Sequence, residues 1–168
     1  GCEAIEMDDP PALERELRKG DVAAFIVEPI QGKGVYIPQA SYLPEAQRLC
    51  RKYGTLFIAD EVQVGMGRTG RFLASEHWGL EPDIVTLSKS LGGGYIPVGA
   101  TITRRSIHDR TFSRLDRCQV HSTTFGQNDL AMAAGLATLH VMDEEHLVEH
   151  AATVGDKLIK RLSALKER

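Results

Sequence analysis

Four short stretches of the chain are rich in apolar and β-branched residues: "AAFIVEPI" (23–30), "TLFIADEV" (55–62), "PDIVTLS" (82–88) and "VGATITR" (98–104). Runs of this length, rich in β-branched residues and bounded by polar or glycine-containing segments, predict buried strands. Between and around them the apolar period changes to three or four. Asp9-Pro10 followed by Leu13 and Leu17 and closed by Gly20 predicts a short helix with proline in its first turn. Ser41 is placed to cap a second helix, with Leu43, Ala46, Leu49 and Tyr53 on one face and Gly54 as its stop.

From Asn128 to Val141 the chain is apolar all round, the pattern of a helix buried in a core or an interface. A last helix carries Leu147, Ala151, Val154, Leu158, Leu162 and Leu165 on one stripe.

Strands apolar on both faces and alternating with helices predict an α/β fold of three layers around a mainly parallel sheet. Only about ten residues separate the third strand from the fourth, too few for a helical crossover. The fourth strand is therefore expected to run antiparallel to its neighbour.

Composition narrows the classes. The 168 residues carry a formal net charge of -3, with no run of Lys and Arg marking a face, which argues against nucleic acid and anionic membrane as partners. No apolar stretch approaches the roughly 20 residues of a membrane span. The opening "GCEAIEMDDPP" does not have the pattern of a signal peptide. Cys2, Cys50 and Cys118 are odd in number and widely spaced, fitting reduced thiols and a cytoplasmic setting.

In parallel α/β sheets, ligands bind at the carboxyl ends of the strands. Here the first strand ends at Glu28, the second at Asp60, Glu61 and Gln63, the third at Ser88 and Lys89. Glycine-rich backbone follows each: Gly32 and Gly34; Gly65, Gly67 and Gly70; Gly92 to Gly94. A lone Lys89 would be read as a solvated loop lysine, and the carboxylates as ordinary strand-end charges. Three polar ends converging on one edge read instead as a site. A lysine amine forms a Schiff base with a carbonyl, and pyridoxal phosphate is the commonest protein-bound aldehyde. Its ring nitrogen must stay protonated to act as an electron sink, which an aspartate facing it ensures. Asp60 and Lys89 are the residues placed for those two tasks.

The segments "VEPIQG", "ADEVQVGMGRTG", "LSKSLGGGYIPVGA" and "HSTTFGQN", in this order and spacing, resemble the class III pyridoxal-phosphate aminotransferases of fold type I. The resemblance implies transfer of an amino group, ω-amino groups included, from an amine or amino acid to a 2-oxo acid. It implies that Lys89 holds pyridoxal 5'-phosphate as an internal aldimine and shuttles the proton. Asp60 would partner the pyridine nitrogen, and Gln63 would stand near the ring hydroxyl. Thr124 would reach the cofactor phosphate of a neighbouring subunit in a homodimer, and Glu28 would be a supporting carboxylate.

Two positions depart from the family pattern. Lys33 stands where many members acting on ω-amino groups have a glutamate that pairs with a substrate-binding arginine. Gln127 replaces a glycine in the last motif.

By the same resemblance, residues 1–145 belong to the large cofactor-binding domain and 146–168 lead towards the small one. Nothing before Ala23 resembles the phosphate cup or the stacking aromatic of the family, so the chain is expected to be the middle of a longer enzyme. An aminomutase using the same cofactor, or a non-catalytic module that kept the fold, are the competing readings. The spacing of His146 and His150 could suit a metal, but no third ligand is evident. "GMGRTG" lacks the Gly-Lys-Ser/Thr ending of a nucleotide-binding loop.

Overall fold

Asp9 starts the first helix, α1 (Pro10–Leu17), its side chain accepting from the Ala12 N–H at 2.9 Å. Pro10 fits there because the first helical N–H has no intrahelical partner to lose. The second helix, α2 (Tyr42–Tyr53), ends at Gly54 in the left-handed conformation expected of its stop, φ 71°. Ser41 does not cap it as its sequence position suggests. The Tyr42 N–H already bonds to the Gln39 carbonyl, so Ser41 enters in a helical conformation and its hydroxyl makes no capping bond. A capping side chain needs the extended backbone that this preceding turn excludes. Glu14 ties α1 to α2 by accepting from Lys52 Nζ at 2.8 Å and Tyr53 Oη at 2.7 Å. These two bonds, Lys52's first, hold its carboxyl down to about 2.

The computed structural model describes residues 1–121 and 123–166. Ser122 of the "HSTTFGQN" segment, Glu167 and Arg168 lie outside the described residues. The sheet has the order β1 (Ala24–Val27), β2 (Leu56–Asp60), β3 (Ile84–Leu87), β4 (Ala100–Thr103). The first three strands are parallel and β4 is antiparallel to β3, as its short connection requires. The molecule is thus a mixed α/β fold on an open, mostly parallel sheet.

Register aligns Phe25 with Phe57, and Val27 with Ala59 and Val85, on one face. This face packs with Leu13, Leu17, Leu43, Ala46, Leu49 and Cys50 into the core. Consecutive parallel strands laid side by side with right-handed crossovers send each connection to the same face. The opposite row, Ile26, Ile58 and Ile84, is consequently only partly covered by the described residues, and Ile26 is 60% exposed. The all-apolar strands that predicted cover on both faces are therefore covered on one by this chain's own helices.

Residues 105–166 are mainly helical. α3 (Arg105–Thr111) buries no residue and carries no apolar stripe, which is why periodicity did not predict it. α4 (Asp129–Glu144) is capped by Asn128, which accepts from the Ala131 N–H at 2.9 Å. Of α4 only Ala131 and Gly135 are buried, while Leu136 is 61% exposed. α5 (Leu147–Lys166) starts against the loop after β2, where Ala152 meets Gly70. A Cβ on Gly70 would stand 2.8 Å from the Ala152 Cβ, and its φ of +80° is itself unfavourable for a side chain. Among the described residues no helix is long and apolar enough to cross a membrane.

Candidate active site

Asp60 is the last residue of β2, and its register partner on β3 is Thr86. Both observed bonds to its carboxylate go to one oxygen: Oδ1 accepts from the Thr86 hydroxyl at 2.9 Å and from the Val62 N–H at 3.1 Å. These donors fix the rotamer. Among the described residues Oδ2 has no donor, and it is not shut off from solvent, so it is open to a proton donor arriving at the strand ends.

Lys89 follows β3 after the single extended residue Ser88, whose hydroxyl donates to the Val98 carbonyl at 3.1 Å. Lys89 itself has φ 49°, a left-handed conformation uncommon for a residue with a side chain. The chain then turns through Lys89–Gly92 and leaves by Gly93 and Gly94 at φ 64° and 81°. These positive angles are the reason for the glycine run. An open cleft of about 500 Å³ is lined by Ser88, Lys89, Pro97, Val98 and Gly99.

The Lys89 amine is exposed, and Nζ donates to Gln63 Oε1. Beside it, Arg68 from the "GMGRTG" loop donates through Nη2 to the Ser90 hydroxyl. The ends of β2 and β3 are thus laced together twice, by Asp60 with Thr86 and by Gln63 with Lys89.

The remaining sequence candidates are placed differently. Glu28 contacts neither Asp60 nor Lys89 by hydrogen bond; its Oε2 accepts from the Gly32 N–H at 2.8 Å. Thr124 is exposed in the loop before α4 and, among the described residues, makes no hydrogen bond to the Asp60–Gln63–Lys89 group. Lys33 is exposed, and Gln127 takes a left-handed φ of 57°, a conformation that the glycine it replaces adopts without cost. His146 is also left-handed, φ 50°, and precedes α5 while His150 lies within it. Among the described residues no three His, Cys, Asp or Glu side chains gather as a metal site.

Sequence reasoning grouped Glu61 with the strand-end charges but did not assign it a task. It is 1% exposed, and its two oxygens accept from the buried N–H groups of Ala74 at 2.9 Å and Ser75 at 2.7 Å. The only hint in the sequence is that consecutive residues leaving a strand point in opposite directions, so one of the Asp60-Glu61 pair must turn inward.

Comparison with known proteins decides what this geometry belongs to. The family model described as aminotransferase class-III matches residues 5–168. The chain belongs to the class III aminotransferases.

Among curated members it is 43% identical over 171 residues to putrescine aminotransferase of Pectobacterium atrosepticum, covering 98% of this chain and 36% of the relative. It is 45% identical over 166 residues to mitochondrial ornithine aminotransferase of Rattus norvegicus, covering 98% and 37%. Among solved structures, ornithine aminotransferase from Toxoplasma gondii, crystallised with partial occupancy of PLP at its active site, superposes with a TM-score of 0.87. That match has 41% identity and covers 95% of this chain and 37% of the other. The neighbours confirm the fold type expected of the sheet. The chain spans little more than a third of the length of the curated relatives it matches.

As chemistry, the group provides an accessible primary amine with an acceptor beside it, and a carboxylate oxygen held ready for a donor. Both stand at the ends of adjacent parallel strands. Pyridoxal phosphate asks for this pair of groups, an amine for its aldehyde and an anion for its ring nitrogen.

Proposed function

We propose that this chain contributes the reactive centre of a longer pyridoxal-phosphate-dependent aminotransferase. The reaction moves an amino group from an amine or amino acid to a 2-oxo acid. The observation that carries the reading is the pairing of Lys89, held by Gln63, with Asp60, whose Oδ2 is open. Bound there, the cofactor supplies an aldehyde for the amino group and a ring that delocalises electrons from the substrate carbon.

The chain's own residues do the rest. Asp60, clamped by Thr86 and Val62, would keep the proton on the ring nitrogen by accepting the N–H hydrogen bond at Oδ2. Lys89 would hold the aldehyde through Nζ, and as a free amine it would take the proton from the substrate carbon and return it. With no cofactor bound, Gln63 accepts from that amine and keeps it at one place. With this left-handed backbone at Lys89, the amine meets Gln63 just beyond the end of β2.

The relatives, putrescine and ornithine aminotransferases, support an ω-amine as donor. Lys33, in place of the family's glutamate, distinguishes this chain within that class. The exposed apolar residues of α4, together with Thr124, support a homodimer in which Thr124 serves the partner's cofactor, and the proposed domain division places α5 on the way to the small domain. The reading is tested by loading the complete protein with pyridoxal phosphate and following its visible absorbance as an ω-diamine is added. A shift to the aminated cofactor's spectrum, reversed by a 2-oxo acid, supports it; a spectrum that no amine changes refutes it. Sedimentation of the same material tests the dimer, and an active monomer overturns it.

A further inference from the structure

We propose that Glu28 and Gly32 act together as a positioning device for the Gln63 side chain, and through it for the Lys89 amine. The proposal deepens the functional reading and rests on Lys89 being the reactive lysine. Glu28 stands just beyond β1, and its carboxylate turns back to accept from the Gly32 N–H at 2.8 Å, closing the 28–32 turn. Within that turn Pro29 is buried and its φ is locked. Gly32 is therefore fixed from both sides.

Gly32 does not have the left-handed φ that usually calls for glycine. Space explains it. A Cβ at Gly32 would overlap Gln63 Cγ and lie 3.0 Å from Gln63 Cβ and Cδ. The Gln63 side chain lies directly on the Gly32 Cα, with no room for a methyl group between them. A long amide side chain has rotamer freedom that must be lost before it can hold a partner. Here the Gly32 backbone forms the wall that removes it, and Oε1 is left facing Lys89 Nζ. Glu28 acts at one remove, by holding the wall in place. Its need is for an acceptor oxygen rather than for a charge at the site.

The test uses the complete protein without cofactor, reading the rate at which Lys89 is reductively methylated against the protein's other lysines by peptide mass spectrometry. Gln63→Ala frees the amine and should raise that rate about three- to tenfold, the worth of one hydrogen bond. Gly32→Ala should raise it equally. Gly32→Ala added to Gln63→Ala should do nothing more, because the acceptor that the new methyl group would displace from Lys89 is already gone. Glu28→Ala should also raise the rate, whereas Glu28→Gln, which retains an oxygen for the Gly32 N–H, should restore it. If Gly32→Ala alone does not fold, the Glu28 pair carries the same decision. An unchanged rate in a folded Gly32→Ala, additive effects in the double variant, or Glu28→Gln behaving like Glu28→Ala each overturns the proposal. These readouts need no cofactor, so a failed absorbance test with an intact labelling pattern would refute the aminotransferase reading alone.

Discussion

The Glu61 carboxylate lies 2.7 Å from the Ser75 N–H, both residues 1% exposed, with the Ala74 N–H on the other oxygen at 2.9 Å. Two consecutive backbone donors at the start of the 74–78 turn thereby fasten the loop after β2 to its strand end. Both oxygens are needed as acceptors. Glu61→Gln keeps the shape but turns an NH2 towards a buried N–H. It should destabilise the protein by about 1–3 kcal/mol, the cost of a buried donor left without a partner. Urea unfolding of the complete protein measures it, and a neutral Glu61→Gln would show that the contact is dispensable.

Lys89→Ala should leave the unfolding midpoint close to that of the parent, because the residue is exposed and, among the described residues, its side chain bonds only to Gln63. Turnover should fall by at least the roughly 10²–10⁴-fold that a positioned proton carrier contributes. Borohydride reduction of the cofactor-loaded parent, followed by peptide mapping, should place the pyridoxyl group on Lys89; finding it on another lysine rejects the assignment.

On the proposed reading, Asp60→Ala removes the anion that faces the ring nitrogen. We expect turnover to drop on the order of 10²–10³-fold, as when one preorganised electrostatic partner is lost. Cofactor affinity, measured by fluorescence titration, should fall by less, since Lys89 still holds the aldehyde. Equal losses in both would assign Asp60 to binding alone.

Alkaline pH should weaken the fold through α2. Burial pushes the Cys50 thiol from 9.0 up to about 12, and the Tyr42 phenol from 10.0 up to about 12. Between those limits the unfolded chain has lost protons that the folded chain retains. Stability is then full below about pH 9 and declines as pH rises through 9 to 12. Urea midpoints across that range should fall, and Cys50→Ala should flatten the part of the decline that begins first. The same burial should keep Cys50 unreactive towards thiol reagents until the protein is denatured.

Much of the fold that positions these residues was legible from the chain alone. The strand ends at Asp60 and Lys89, the antiparallel β4 and the Gly54 stop follow from local periodicity, connection length and backbone preferences, which depend on near neighbours only. The match of four motifs in order then assigned roles to Asp60, Gln63 and Lys89. Even so, Ser41 shows the limit of local rules, because a preceding turn decided its conformation.

Three features depended on the fold. Residues 61 and 74–75 are distant in sequence, and only the return of the loop onto β2 buries Glu61 against two N–H groups. Gly32 reads as a turn residue until the parallel pairing of β1 with β2 lays Gln63 across its Cα. The third is the open row of Ile26, Ile58 and Ile84, which an all-apolar strand pattern cannot distinguish from a covered one. Local order along the chain was enough to place particular side chains at the carboxyl edge of the sheet, since strand period and strand ends need no distant partner. Which of those side chains stay open at the edge, which are buried as braces and which backbone atoms wall them in depends on contacts between remote segments. Such segments meet only once the sheet has formed.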